Sequence, residues 1–556
     1  MTESKLVEGL KRLPGGDRAL LDGFVAMAVL SLGLGLVYGA LTAFARAGFI
    51  TLEPEVAYPT LTLHGVTIFF YWLYFAQAGL VLILACVYTE GAKRLAWSPL
   101  AWLGLGLMVA GFALSELMPI MGAVMLYDGQ PELIGYEMTE GGLFYVGYIL
   151  LGLGLFVVGV SSISTALKPR FEGKIESWSS VSFASVAWAG LLMVSAMAAI
   201  NAFLPAAWWA FGFGPAPSGY TMSWHVLFHN VHYLPLMATV VLWYVLMDEL
   251  AGVESIFGRR FSKIVFALYL IFVPPTSLYH MFLEPNLADS VRILGSLLSL
   301  FIGVPTVLVF LIIIASLESH ARAHGARGLF GWVRMLPWRN PAMAAIGMAV
   351  VNLALGGAFS FVLIQEKLAP LLSDTFFVPG YFHFLTLGTV TLTFIAAFMY
   401  VIPGLTGRQL WNPSLLAKLP YIATVGLLIF GGAGILAGYM GVPRRLFDVS
   451  YEGRAPEIWQ TLMFVVGIGA VLMTAALAAY VFGLVRTLFG RPSEAGAETA
   501  NLAAVSWGGI SVGRQAAWVG PLSVLVLIAA MYAFTAVGFE LMQSLPIVAT
   551  GGGGGH

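Results

Sequence analysis

Long runs rich in Leu, Val, Ala, Phe and Gly alternate along the chain with short polar connections that hold nearly all of the charge. A helix that crosses a hydrocarbon core needs about 20 predominantly apolar residues. Thirteen stretches meet that requirement: 20–45, 60–88, 99–126, 142–167, 180–208, 221–247, 262–283, 290–316, 342–365, 378–402, 417–440, 458–486 and 517–543. The pattern predicts an all-α integral membrane protein of about 13 transmembrane helices in one bundle. Its parts are a cytoplasmic N-terminal segment (1–19), a transmembrane domain (20–545) and a glycine-rich tail (546–556). The first stretch leads directly into further spans and reads as one of them, not as a signal peptide.

Basic residues concentrate in the cytoplasmic connections of membrane proteins. With Met1 inside, 21 of the 27 Lys and Arg fall in inner segments, leaving Arg46, Arg292, Lys367, Arg444, Arg445 and Arg454 outside. The expected topology is therefore N-terminus inside and C-terminus outside, with the chain passing many times through the cytoplasmic membrane. Composition agrees. Apolar residues make up 59 % of the chain and charged residues 10 %, with a mean hydropathy of +0.88, whereas soluble domains carry about 25 % charged residues. The lipid bilayer is the first expected partner. With 27 basic against 28 acidic side chains there is no surplus for nucleic acid. The lone Cys86 excludes a disulfide framework and thiolate clusters, and no GxxxxGK[ST] loop is present.

Ionisable groups inside a bilayer are costly and default to functional roles. Six histidines, His64, His225, His229, His232, His280 and His383, fall within the predicted spans, and the alternating directions of those spans bring all six to the outer third of the membrane. Any one alone could be a satisfied core histidine. Six at one depth from four helices point to metal or haem held between helices, since each neutral imidazole offers a lone pair. His225, His229 and His232 are spaced i, i+4, i+7, one stripe of a helix, with Tyr233 four residues after His229. Glu116 and Glu284 are further acids near the outer face, each open to a relay or a structural role.

The segments LTLHGV (61–66), HNVHY (229–233), RGLFGWVRMLPW (327–338), VPGYFHF (378–384) and GVPRR (441–445) resemble subunit I of the haem–copper oxidase superfamily, most closely the B-type oxygen reductases (cytochrome c oxidase subunit I). The resemblance covers most of the chain. It implies a low-spin haem b held by His64 and His383, with Arg444 and Arg445 on its propionates. It also implies copper ligands at His229 and His280, and a functional tyrosine, Tyr233, beside His229.

The chain departs from the family pattern at the second centre. Tyr381 stands where the family has a haem-ligating histidine, and Tyr279 where it has a second copper ligand before His280. Three readings stay open: a second haem held through Tyr381, since phenolate ligation of haem iron is known; copper or non-haem iron held by some of His225, His229, His232 and His280; or a single low-spin haem. The family's inner proton route keeps Tyr244 and Thr306 but has Val240, Val309 and Ile312 where hydroxyls are expected, so it reads as broken or rerouted. The expected function is a divergent respiratory oxygen reductase subunit. The alternatives are a non-catalytic single-haem electron-transfer subunit or a nitric oxide reductase-like enzyme. Tyr233 favours oxygen, because the superfamily's nitric oxide reductases carry a glutamate there. The implied partners are a small membrane-anchored copper-bearing or cytochrome subunit on the outer face, and cytochrome c, cupredoxin or quinol as electron donor.

Overall fold

The computed structural model describes residues 4–123, 138–217, 220–274, 289–363 and 368–490, with scattered positions between 517 and 537. Unbroken apolar sequence leaves the backbone no partner but itself, and among the described residues the regular structure is helical. In chain order the main helices are α1 (Lys5–Lys11), α2 (Gly15–Arg46), α3 (Pro54–Val87), α4 (Ser98–Ile120), α5 (Thr139–Phe171) and α6 (Ser180–Ala210). They continue with α7 (Tyr220–Ala251), α8 (Gly258–Phe272), α9 (Asp289–Ala323), α10 (Pro341–Leu363), α11 (Phe377–Thr406), α12 (Leu419–Tyr439) and α13 (Glu457–Leu488). Eleven helices among the described residues are long and apolar enough to cross a membrane. Of the remaining predicted spans, 262–283 begins as α8 and then leaves the described residues, and 517–543 lies largely outside them.

Small residues let these helices approach closely. A side chain at Gly111 of α4 would press on the backbone of α5, 2.5 Å from the Gly147 carbonyl, the type of contact that drives helix association in lipid. Buried indoles tie the centre together. Trp72 of α3 donates to Thr391 of α11 (3.0 Å), Trp243 of α7 to Thr393 of α11 (2.8 Å), and Trp188 of α6 to Gln77 of α3 (3.1 Å).

The N-terminal segment is not a loose tail. Ser4 caps α1 by accepting from the Val7 N–H, and Leu6, Val7 and Leu10 are buried under the bundle. Glu249, near the end of α7, accepts from the Ser4 hydroxyl (2.6 Å), the Leu6 N–H (2.9 Å) and the Tyr88 hydroxyl (2.6 Å). This carboxylate ties down the end of the bundle that the sequence predicts to be inner.

α3 and α11 share a local irregularity. Each changes from α to π winding just after its histidine, over Val66–Trp72 and Phe384–Thr391. Single π turns inside α-helices concentrate at functional sites.

Candidate functional site

His64 of α3 and His383 of α11 face one another at the end of the bundle that the sequence predicts to be outer. Their ring centroids are 6.4 Å apart and their planes differ by 12°. His64 Nδ1 lies 2.9 Å from the Gly35 carbonyl, and His383 Nδ1 lies 2.7 Å from the Pro379 carbonyl. A carbonyl only accepts, so each Nδ1 carries the proton and each Nε2 keeps a lone pair. Such an outer hydrogen bond is what fixes the tautomer and orientation of a metal-binding imidazole.

The two rings line a cavity between α2, α3, α11, α12 and α13, walled by Leu36, Ile68, Phe69, Phe382, Phe430 and Met473. Gly39 of α2 keeps it open beside His64, since a Cβ there would sit 2.6 Å from the His64 Cε1. Arg46, Arg444 and Arg445 form its polar rim. The loop bearing the arginine pair is held against the segment before α11. The Phe376 N–H donates to the Val442 carbonyl (2.7 Å), the Arg444 N–H to the Asp374 carbonyl (3.0 Å), and the Arg444 guanidinium pairs with the Asp374 carboxylate (2.9 Å). Arg444 Nε is buried and, among the described residues, has no hydrogen-bond acceptor. A pocket that is carbon-walled, carries two free imidazole nitrogens and has guanidiniums at one edge suits a flat, metal-bearing, apolar ligand with anionic ends.

Other predicted residues are placed differently. Tyr381 is buried on α11 in an apolar cluster, its ring 5.8 Å from Phe377 and 6.1 Å from Phe382, and is not in the wall of the His64–His383 cavity. Tyr233 packs half-buried on the main core. His225, His229 and His232 lie on α7, but their side chains are outside the described residues, as are Tyr279, His280 and Glu284 altogether. Glu116 is buried on α4 and accepts from Thr67, one turn beyond His64.

Three features escaped the sequence reading. Arg46 looked like an ordinary outer-loop charge, yet it is only 6 % exposed. Asn230, next to His229, is wholly buried, and neither its Oδ1 nor its Nδ2 has a partner among the described residues. Hydroxyls missing along α9 have counterparts on α8: Tyr244 donates to Ser262 (3.2 Å), and the Tyr269 and Thr306 hydroxyls are 2.9 Å apart. Val240, Val309 and Ile312 are core residues there. Only Arg46 left a usable signal, an arginine closing an apolar helix.

The arrangement has solved counterparts. The chain is similar in structure to a solved heme-copper terminal oxidase dimer, with a TM-score of 0.79 at 21 % identity, covering 94 % of this chain and 91 % of that one. The fold is thus that of a haem–copper terminal oxidase bundle. In sequence it is 29 % identical to cytochrome c oxidase subunit 1 of Thermus thermophilus over 489 residues, 85 % of this chain and 84 % of that one. A shorter stretch of 150 residues is 27 % identical to cytochrome c oxidase subunit 1 of Alkalihalophilus pseudofirmus, covering 27 % of this chain and 23 % of that one. The model of the family "Cytochrome C and Quinol oxidase polypeptide I" matches residues 21–472, and the chain belongs to that family. It is a haem–copper oxidase subunit I of the respiratory oxygen reductase kind. Members are multi-pass membrane oxidoreductases that bind haems and copper and work with other oxidase subunits and with cytochrome c or quinol donors.

Proposed function

We propose that this chain is a divergent respiratory terminal oxidase subunit in the cytoplasmic membrane, holding a bis-histidine low-spin haem b at His64 and His383 and delivering electrons to an altered second metal centre where oxygen is reduced. The observation that carries the proposal is the parallel pair of imidazoles, 6.4 Å between centroids, with each Nδ1 tied to a backbone carbonyl. Two nitrogen–metal bonds of about 2.0–2.1 Å each, plus the ring radius on either side, span roughly 6.3 Å. The spacing fits one metal ion shared by both rings. The orphaned Arg444 Nε and the neighbouring Arg445 fit the propionates.

Bound there, the haem supplies reversible one-electron storage. The chain supplies the rest. Gly35 and Pro379 fix the ring tautomers, Phe69, Phe382 and Phe430 exclude water, and the arginines balance anionic charge at the outer edge. The second centre is assigned to His229 and His280, joined by His225 or His232, with Tyr233 as the catalytic side chain beside His229. Copper and non-haem iron both suit such a set, and a second haem remains a reading through Tyr381. The Tyr244–Ser262 and Tyr269–Thr306 pairs support proton delivery from the inner face by way of α8. A small membrane-anchored copper-bearing or cytochrome subunit at the outer face, with cytochrome c, cupredoxin or quinol as donor, completes the proposed assembly.

A second reading, a single-haem electron-transfer subunit without catalysis, is favoured by one observation: Tyr381, where the family has a haem-ligating histidine, is buried in an apolar cluster with Phe377 and Phe382. Haem per polypeptide by pyridine haemochrome, together with copper and iron analysis of the purified protein, separates the two. Two haems, or one haem with an additional metal, accompanied by oxygen consumption support the oxidase. One haem alone, with no further metal and no oxygen uptake, supports the carrier. A haem-free protein removes both.

A further inference from the structure

The π segments that follow the two histidines end on residues that meet. Trp72 closes the segment of α3 and Thr391 that of α11, and each stands eight positions after its histidine, about 12 Å further along the axis at an α-helical rise. The Trp72 indole N–H donates to the Thr391 hydroxyl (3.0 Å), and the indole packs edge-on against Phe394 (6.0 Å) and Phe398 (5.9 Å) of α11. Both residues are buried. Thr391 lines the cavity, and Trp72 is not among its lining residues. A π turn widens the coil and offsets the residues before it from those after it, so the bearing of each histidine about its helix axis depends on how the segment behind it is held. Thr67 and Tyr71 tie the α3 segment to Glu116 and Ser115 of α4, and Thr389 ties the α11 segment to the Ala349 carbonyl of α10 (3.3 Å). The Trp72–Thr391 bond joins the two segments to each other. The Phe69–Phe382 ring contact between the same helices (5.3 Å) is apolar and sets no direction.

We infer that Trp72 and Thr391 are a positioning pair for the two imidazoles: by bonding the far ends of the two π segments, they fix how His64 and His383 are turned about their helix axes and hold the ring planes near the observed 12°. The inference rests on the His64–His383 haem reading. In an oxidised low-spin haem the angle between the two imidazole planes sets the spread of the electron paramagnetic resonance g values. Parallel rings give a rhombic spectrum, and crossed rings push the largest g value upward.

The test uses the purified full-length protein, Trp72→Phe and Thr391→Val, which each remove one half of the bond, and Thr391→Ser, which keeps the hydroxyl. Trp243→Phe is the matched control, because Trp243 makes the same kind of bond to Thr393 (2.8 Å), beyond the π segment. The readouts are low-spin haem absorbance per polypeptide and the g values of the oxidised haem. The expected result is a rhombic spectrum for the unsubstituted protein, a largest g value moved upward in Trp72→Phe and Thr391→Val, and no movement in Thr391→Ser or Trp243→Phe. Unchanged g values at full haem content in Trp72→Phe or in Thr391→Val overturn the inference. So does a Thr391→Ser or Trp243→Phe protein that moves as far as Trp72→Phe. Should Trp72→Phe fail to load haem, the Thr391 variants decide: a moved Val variant beside an unmoved Ser variant supports the pair, and an unmoved Val variant or haem loss in both overturns it. An unsubstituted protein lacking a low-spin haem spectrum removes the underlying reading instead, which keeps the two failures distinct.

Discussion

At the outer end, His64 and His383 stand apart across a cavity that Gly39 keeps open and three arginines rim. At the inner end, Glu249 gathers donors from Ser4, Leu6 and Tyr88 while Leu6, Val7 and Leu10 close the base. Both ends put polar groups inside an apolar bundle, but they satisfy them differently. The inner carboxylate is saturated by the chain itself. At the outer end the Arg444 Nε has no partner among the described residues, and the two imidazoles, each with Nδ1 on a carbonyl, turn to the cavity between them. Buried polar atoms are normally paired, so the saturated Glu249 cluster reads as an element that holds the fold together, while the unpartnered Arg444 Nε beside the cavity leaves a donor for a ligand.

The sharpest way to break this contrast is to remove a ligand. His64→Ala or His383→Ala should abolish the low-spin haem spectrum almost completely while the protein remains extractable as a folded species. A reduced-minus-oxidised spectrum that survives either change would mean the outer end is not a bis-histidine site. Next in size is the inner clamp. Glu249→Gln should cost about 1.5–3 kcal/mol, the worth of hydrogen bonds to a charged group, and leave the haem spectrum untouched. Thermal unfolding in detergent reads the cost, and a spectral change would show the two ends to be coupled. Tyr88→Phe, which removes one donor to the same carboxylate, should fall at the low end of that range, about 1.5 kcal/mol, and combine non-additively with Glu249→Gln because the groups touch.

Gly39→Ala tests the opening itself. Its Cβ would crowd the His64 ring, so a penalty of about 1–3 kcal/mol is expected, read as faster haem loss on dilution. Gly432→Ala on α12, which meets nothing within 4 Å, serves as the matched control and should be neutral or stabilising by about 0.5–1 kcal/mol. The smallest effect belongs to Asp374→Asn. Its carboxylate is 73 % exposed, so the pair with Arg444 should contribute about 0–1 kcal/mol, and haem content by pyridine haemochrome should barely move.

The bundle, and the shared level of His64 and His383, were legible because hydrophobic run length and alternating helix direction are one-dimensional quantities. Approximate span positions needed nothing more, whereas the pairing of His64 with His383 came from the family resemblance. The π turns after each histidine left no such trace, since VTIFFYW and FLTLGTVT are apolar strings that suit α winding equally well. Nor could the role of Glu116 be chosen beforehand. Its partner Thr67 lies 49 residues away, and only packing brings the two together. The α8 hydroxyls of Ser262 and Tyr269 carry no mark in the sequence for a related reason: their contacts with Tyr244 and Thr306 depend on how α8 packs against α7 and α9. Arg46 was misread because a basic residue at a span end normally reaches water, whereas this one folds back under the 443–446 loop.

The inner clamp has a consequence for how the chain is made. Ser4 and Leu6 leave the ribosome well before the carboxylate they bind, which is 245 and 243 residues downstream, and the α11 surface against which Leu10 packs at Gly404 comes later still. The opening residues must therefore wait, unpaired, through the synthesis of most of the bundle before they can seat. Seating them is a late stitch in biogenesis, made only after α7 and α11 are in place.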